Sequence, residues 1–163
     1  MVNEETMLSN EETAHAAHQI SSGVAARNFI LAGKAIFTLV SKKTGTRYTF
    51  KVKHVKASGQ WPEKFFVAYL NGPDNWTNYV TFGQISMNGV FSLTNKAKYE
   101  LHLSMNSAPV AAFNWTFGFV NAGKEPVGVE VWHSGKCGRC GRLLTVPSSI
   151  EMGLGPECAS KGF

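Results

Sequence analysis

The chain has 163 residues, 44% hydrophobic and 17% charged, which is the balance of a globular chain and excludes an intrinsically disordered one. That length suits one domain, or a domain with an appendage, and is enough to bury a real core. A net charge of +5 suits polyanionic or acidic partners, and no run of about eighteen apolar residues is present to span a membrane as a helix.

Residues 1–33 read as an N-terminal tail and helix. Glu4, Glu5, Glu11 and Glu12 crowd the first dozen positions, an acidic start unlike the basic opening of a signal peptide. A cytoplasmic protein with reduced thiols is therefore expected, which favours metal binding over disulfides. Ser9 or Asn10 can cap a helix over 11–31, and Glu11 and Glu12 in its first turn suit the macrodipole. Ala14, Ala17, Ile20 and Val24 share one loose face of it. Gly23 weakens a helix interior by about 1 kcal/mol relative to Ala, so a break near Ser21-Ser22-Gly23 is compatible with the pattern. Gly33 ends the segment. His15 and His18 stand three apart, a spacing that can bind metal on a helix, but no third ligand lies nearby.

Residues 34–128 read as an antiparallel β domain, either a sheet or a small barrel. From Ala35 the apolar period switches to two, and 35–41 and 47–56 form a hairpin around Gly45. In its second strand Tyr48, Phe50 and Val52 point one way, and Arg47, Thr49, Lys51 and Lys53 the other. His54 continues the core side as a half-buried edge residue. Further strands are expected at Lys64–Leu70, 76–85 and 89–94. The stretch 99–104 reads as a strand in preference to a short helix, and the aromatic-rich 109–120 also reads as a strand.

Residues 129–163 read as a small metal-binding knuckle. Val129, Val131 and His133 share one face of its leading strand, which runs into Cys137-Gly-Arg-Cys140. All three cysteines of the chain are Cys137, Cys140 and Cys158. Two thiolates across a two-residue turn can hold one tetrahedral metal, and the return of Cys158 suits a zinc ribbon. His133 is the candidate fourth ligand, with water, Glu157 or a partner's side chain as alternatives. A redox pair and free structural thiols are the competing readings of the cysteines. The thioredoxin context is missing, however, and Lys136, Arg139 and Arg142 only make the knuckle basic. So small an appendage has no apolar core and needs its Zn2+ to fold.

The order Cys137-Gly-Arg-Cys140-Gly-Arg-x-Leu144-Thr-x-Pro147-x-Ser149-Ile150, followed by Gly153-x-Gly155-Pro156-x-Cys158, resembles a small cysteine-containing domain of unknown function. That domain is frequent in proteins of bacteriophages, plasmids and their bacterial hosts. The resemblance covers about thirty residues. It implies a zinc-ribbon-like knuckle and a mobile-element setting, hence a host-cell cytoplasm, and it implies no activity.

Charge is unevenly spread. From Thr13 to Pro62 there is no Asp or Glu, against eight positives that include Lys42, Lys43, Arg47, Lys51 and Lys53. Such a stretch is a candidate footprint for a polyanion, or simply a solvated basic surface. No phosphate-binding loop, nucleophile elbow, zinc-protease helix or deaminase signature is present, and Glu63, Asp74 and Glu100 are carboxylates without an evident partner. A non-enzymatic protein binding single-stranded or unspecific nucleic acid is expected. Its phosphate contacts would be Lys42, Lys43, Arg47, Lys51, Lys53, Lys136, Arg139 and Arg142. The alternative is a phage-encoded inhibitor or modulator that binds an acidic host protein and blocks or redirects it, in host takeover or anti-defence.

Overall fold

A computed structural model describes residues 18–72, 78–140 and 153–154 of the chain. In chain order the elements are β1 (Gln19–Ile20), α1 (Gly23–Ile30), β2 (Lys34–Ser41), β3 (Arg47–Val55), β4 (Lys64–Leu70) and β5 (Tyr79–Ser86). They continue with β6 (Phe91–Leu93), α2 (Asn95–Tyr99), α3 (Ala108–Asn121) and β7 (Val129–His133). The seven strands form one antiparallel sheet in the order β1-β7-β2-β3-β4-β5-β6. The fold is mostly β, and of the two expected forms it is the sheet, with β1 and β6 at its edges. No described helix is long and apolar enough to cross a membrane.

Period-two alternation decides which side of the sheet is covered. Ala35, Phe37 and Leu39 of β2, Phe50 and Val52 of β3, and Phe65 and Val67 of β4 are all buried on one face. In β5 a bulge opposite Val67 and Ala68 inserts one extra residue. Phe82 and Gly83 are consequently both buried, while Thr81 before them and Gln84 after them oppose the outward Ala68 and Phe66. Helices α1 and α3 pack on the covered face through Ala26, Phe29, Ile30, Val110, Phe113, Phe117 and Val120. Phe113 is the hub of that layer. Its ring centroid lies 5.5 Å from Phe50, 6.2 Å from Phe82 and 5.0 Å from Phe91.

Three expectations are corrected. The stretch 109–120 is helix α3 and not a strand. Pro109 stands in the first turn, where its missing N–H is harmless, and Val110, Phe113, Phe117 and Val120 repeat at helical spacing on the buried side. The stretch 99–104 forms no strand. Thr94 caps the preceding short helix α2, its Oγ1 accepting the Ala97 amide at 3.2 Å, and the chain then turns through His102 at a φ of 52°. Finally, the described part of the expected 11–31 helix is helical from Gly23, with Ser22 as its cap, while Gln19–Ile20 pair with β7 as strand; 1–17 lie outside the described residues.

The chain does break at Ser21-Ser22-Gly23, and Gly23 has a packing role there as well. A Cβ there would lie 2.2 Å from the carbonyl carbon of Lys124, so only glycine lets the first turn of α1 meet the segment leaving α3. Strand β7, grouped with the knuckle segment by the sequence, sits inside the sheet between β1 and β2.

Candidate metal centre and nucleic-acid interface

The knuckle is built at the end of β7. His133 is in register with Phe37 of β2, which aims its imidazole at the covered side and leaves it 4% exposed. The ring stacks on His18 at 5.1 Å and leans on Phe29 at 5.7 Å. Its Nδ1 accepts the Gly135 amide at 2.9 Å. In a neutral ring that bond puts the proton on Nε2, whereas a ring ligating metal through Nε2 carries its proton on Nδ1. His133 therefore takes the fourth metal position only if the Gly135 bond is given up.

Cys137 is buried and Cys140 is exposed. The Sγ of Cys137 accepts the Arg139 amide at 3.5 Å, a backbone N–H aimed at sulfur as the outer shell of a thiolate ligand requires. Among the described residues no group of three or more His, Cys, Asp or Glu side chains is placed to hold a metal. Cys158, Glu157 and Arg142 lie outside the described residues. Two thiols across Gly138-Arg139 are donors of the kind that suits Zn2+, and they are two of the four that a tetrahedral site needs.

Phe29 anchors the knuckle, a role that no local sequence pattern signals. A Cβ on Gly138 would lie 2.7 Å from the Phe29 ring, and one on Gly153 would lie 2.5 Å from it. Both glycines thus clasp one aromatic face of α1. The amide of Gly138 donates to Gly153 O at 2.8 Å, while Gly138 O accepts the Lys34 amide at 2.6 Å. The cysteine turn is tied to the start of β2 and to the helix layer together.

The second candidate surface is the other face of the sheet, which no described helix covers. Lys51 and Lys53 both point onto it, as their alternation with Phe50 and Val52 requires. They line an open hollow of about 470 Å³, together with Val55, Phe66, Ala68 and Tyr79. Lys34 stands directly opposite Lys53 across the β2–β3 pair, so the same face carries a third ammonium group. Like charges at paired positions repel, and no described carboxylate forms an ion pair with either one. Arg47 continues the row towards the hairpin tip, where Lys42 and Lys43 are exposed on a turn closed by Gly45 N donating to Ser41 O at 2.8 Å. Lys136 and Arg139 sit on the knuckle and do not line the hollow.

Burial raises the Tyr79 phenol above its ordinary value, so it stays neutral through the physiological range. The Lys51 ammonium lies 5.5 Å from the centre of that ring. Lys64 is held 4.9 Å over Phe66 and 6.0 Å from Trp61, and donates to Gln84 Oε1 at 3.1 Å. Glu63 is not an isolated carboxylate, because its Oε1 is hydrogen-bonded to His54 Nε2. His54 also packs on Phe65 at 5.1 Å, and it is a half-buried residue near the end of β3. Neither Phe66 nor Tyr79 is legible as a site residue in the sequence, since each sits in a strand whose aromatics read equally well as core.

A family of unknown function (DUF6011) matches residues 131–161, the segment of the knuckle. No curated protein and no solved structure matches the chain.

Proposed function

We propose that this is a non-enzymatic nucleic-acid-binding protein whose uncovered sheet face carries the contact. The observation that carries the reading is the meeting of Lys34, Lys51 and Lys53 on that face, with no described carboxylate paired to them. Two facing lysines lower the stability of the sheet, and a bound phosphate backbone relieves that repulsion. Arg47, Lys42 and Lys43 extend the positive row along one hairpin. Successive outward residues on its strand stand about 7 Å apart, as a rail along a flexible polyanion needs.

In the same reading the knuckle holds one structural Zn2+ through Cys137, Cys140 and Cys158, with water or Glu157 in the fourth place while the His133–Gly135 bond persists. Zinc bound there supplies folding energy to a segment too small to have a core of its own. The chain's own part is to present two thiols on a tight turn and to hold that turn against Phe29. Lys136, Arg139 and Arg142 make the knuckle a second basic contact. The mobile-element setting rests on the likeness of residues 137–158 to domains of phage and plasmid proteins.

Electrophoretic shift assays on single-stranded DNA, duplex DNA and RNA test the reading. The wild-type chain should shift at least one of them at low salt, and the Lys51→Glu, Lys53→Glu double variant should not, while keeping its circular dichroism. No shift with any nucleic acid refutes it and leaves an acidic protein as the partner.

A further inference from the structure

The sheet face offers more than charge. Three exposed or half-exposed aromatic rings interleave with the lysines on it. Trp61 is 65% exposed at the base of a small turn closed by reciprocal Ser58–Trp61 backbone bonds. Lys64 lies between Trp61 and Phe66, and Lys51 lies over Tyr79. Phe66 and Tyr79 both wall the hollow, whose floor includes the small Ala68. Rings in an uncovered strand face, each partnered by a cation, are placed to receive another flat ring.

Resting on the nucleic-acid reading above, we propose that Phe66 and Tyr79 form a stacking site for an unpaired nucleobase, and that the ligand is therefore a single strand. The argument is geometric. In a duplex the faces of the bases are covered by their neighbours, so aromatic rings on a sheet can reach only a splayed-out base. The hollow of about 470 Å³ falls within the roughly 300–1,000 Å³ of small-molecule sites, ample for one base. Its apolar walls take the base, Lys51 and Lys53 in its lining take the phosphates on either side, and Lys34 stands opposite Lys53 on the same face. The neutral Tyr79 hydroxyl adds a donor beside the stacked ring, and the phenol carries no negative charge to repel the backbone. Trp61 extends the row of rings by one further base along the strand.

Fluorescence anisotropy with the full-length protein tests this on three labelled probes: a short single-stranded oligonucleotide, an abasic strand with the same number of phosphates, and a duplex. The single strand should bind tightest, and loss of the bases should weaken it by about 5- to 150-fold, the range for one stacked base. Tyr79→Ala should produce a similar loss with an unchanged salt slope, and Tyr79→Phe should restore most of the affinity. Equal binding of the three probes by the wild-type protein overturns the stacking site and leaves the basic face standing. The abasic comparison requires no variant, so it decides the point even if Tyr79→Ala fails to fold. No binding of any probe at low salt overturns the underlying reading as well.

Discussion

Lys53→Glu should weaken function and add stability at the same time. Lys53 is paired with Lys34 across adjacent strands, both side chains are exposed, and both point to the uncovered face. Directly opposed charges of one sign are destabilising, and opposite charges there stabilise by roughly 0.2–1 kcal/mol. Reversing one partner removes a repulsion and creates an attraction. After discounting for exposure, the gain should be about 0.5–1 kcal/mol at low salt and should shrink as salt screens the pair. Urea denaturation followed by circular dichroism measures it. Lys34→Glu should give the mirror result, and the double reversal should return to the wild-type stability, closing a double-mutant cycle. A stabilised Lys53→Glu protein that also loses nucleic-acid affinity means that the wild type keeps an unfavourable pair for binding. A coupling energy near zero at low salt would refute the reasoning, because the two ammonium groups would then not confront each other.

Three further outcomes are expected. Phe29→Ala should destabilise the whole chain by about 3–5 kcal/mol, since the ring is fully buried, and Gly153→Ala, which thrusts a Cβ onto it at a φ of 72°, should increase protease cleavage of the knuckle first. His133→Asn keeps an acceptor near the Nδ1 position for the Gly135 amide but loses Nε2, so Zn2+ retention against a chelator should be unchanged, and faster loss would make His133 the fourth ligand. Tyr79 has a folded-state pKa raised above 10, so the unfolded chain loses its phenol proton first; the stability present below pH 10 should fall as pH rises through the folded value, and Tyr79→Phe should fall less in urea titrations at alkaline pH.

The hairpin of β2 and β3 was legible because its apolar residues alternate without interruption and a Thr-Gly turn joins them. Strand β4 was legible to the residue, Lys64–Leu70, between a polar loop and an Asn-Gly turn. The failure at α3 has a physical cause. A run of mostly apolar residues satisfies both periods, and only the Ser107-Ala-Pro109 start and the spacing of Val110, Phe113, Phe117 and Val120 mark it as a helix. That error hid the candidate site. Without α3 most of the second layer is missing, and nothing then tells which aromatics of β4 and β5 are core. The bulge at Phe82 adds to this, because Phe82 and Gly83 are both buried and the two halves of β5 therefore alternate out of phase. Phe29 was unreadable for another reason. Its contacts with Gly138 and Gly153 join positions more than a hundred residues apart, which no local pattern records.

The salt dependence of binding tests the account most directly. Each phosphate neutralised on a single strand contributes roughly −0.7 to the slope of log K against log salt. Contacts by Lys34, Lys51 and Lys53 alone give roughly −2, and recruitment of Lys42, Lys43 and Arg47 gives roughly −4. Anisotropy titrations of the wild-type protein with a single-stranded oligonucleotide across a series of salt concentrations should fall between these values, and Lys53→Glu should flatten the slope. A slope near zero, or one unaffected by Lys53→Glu, would contradict a phosphate-binding sheet face.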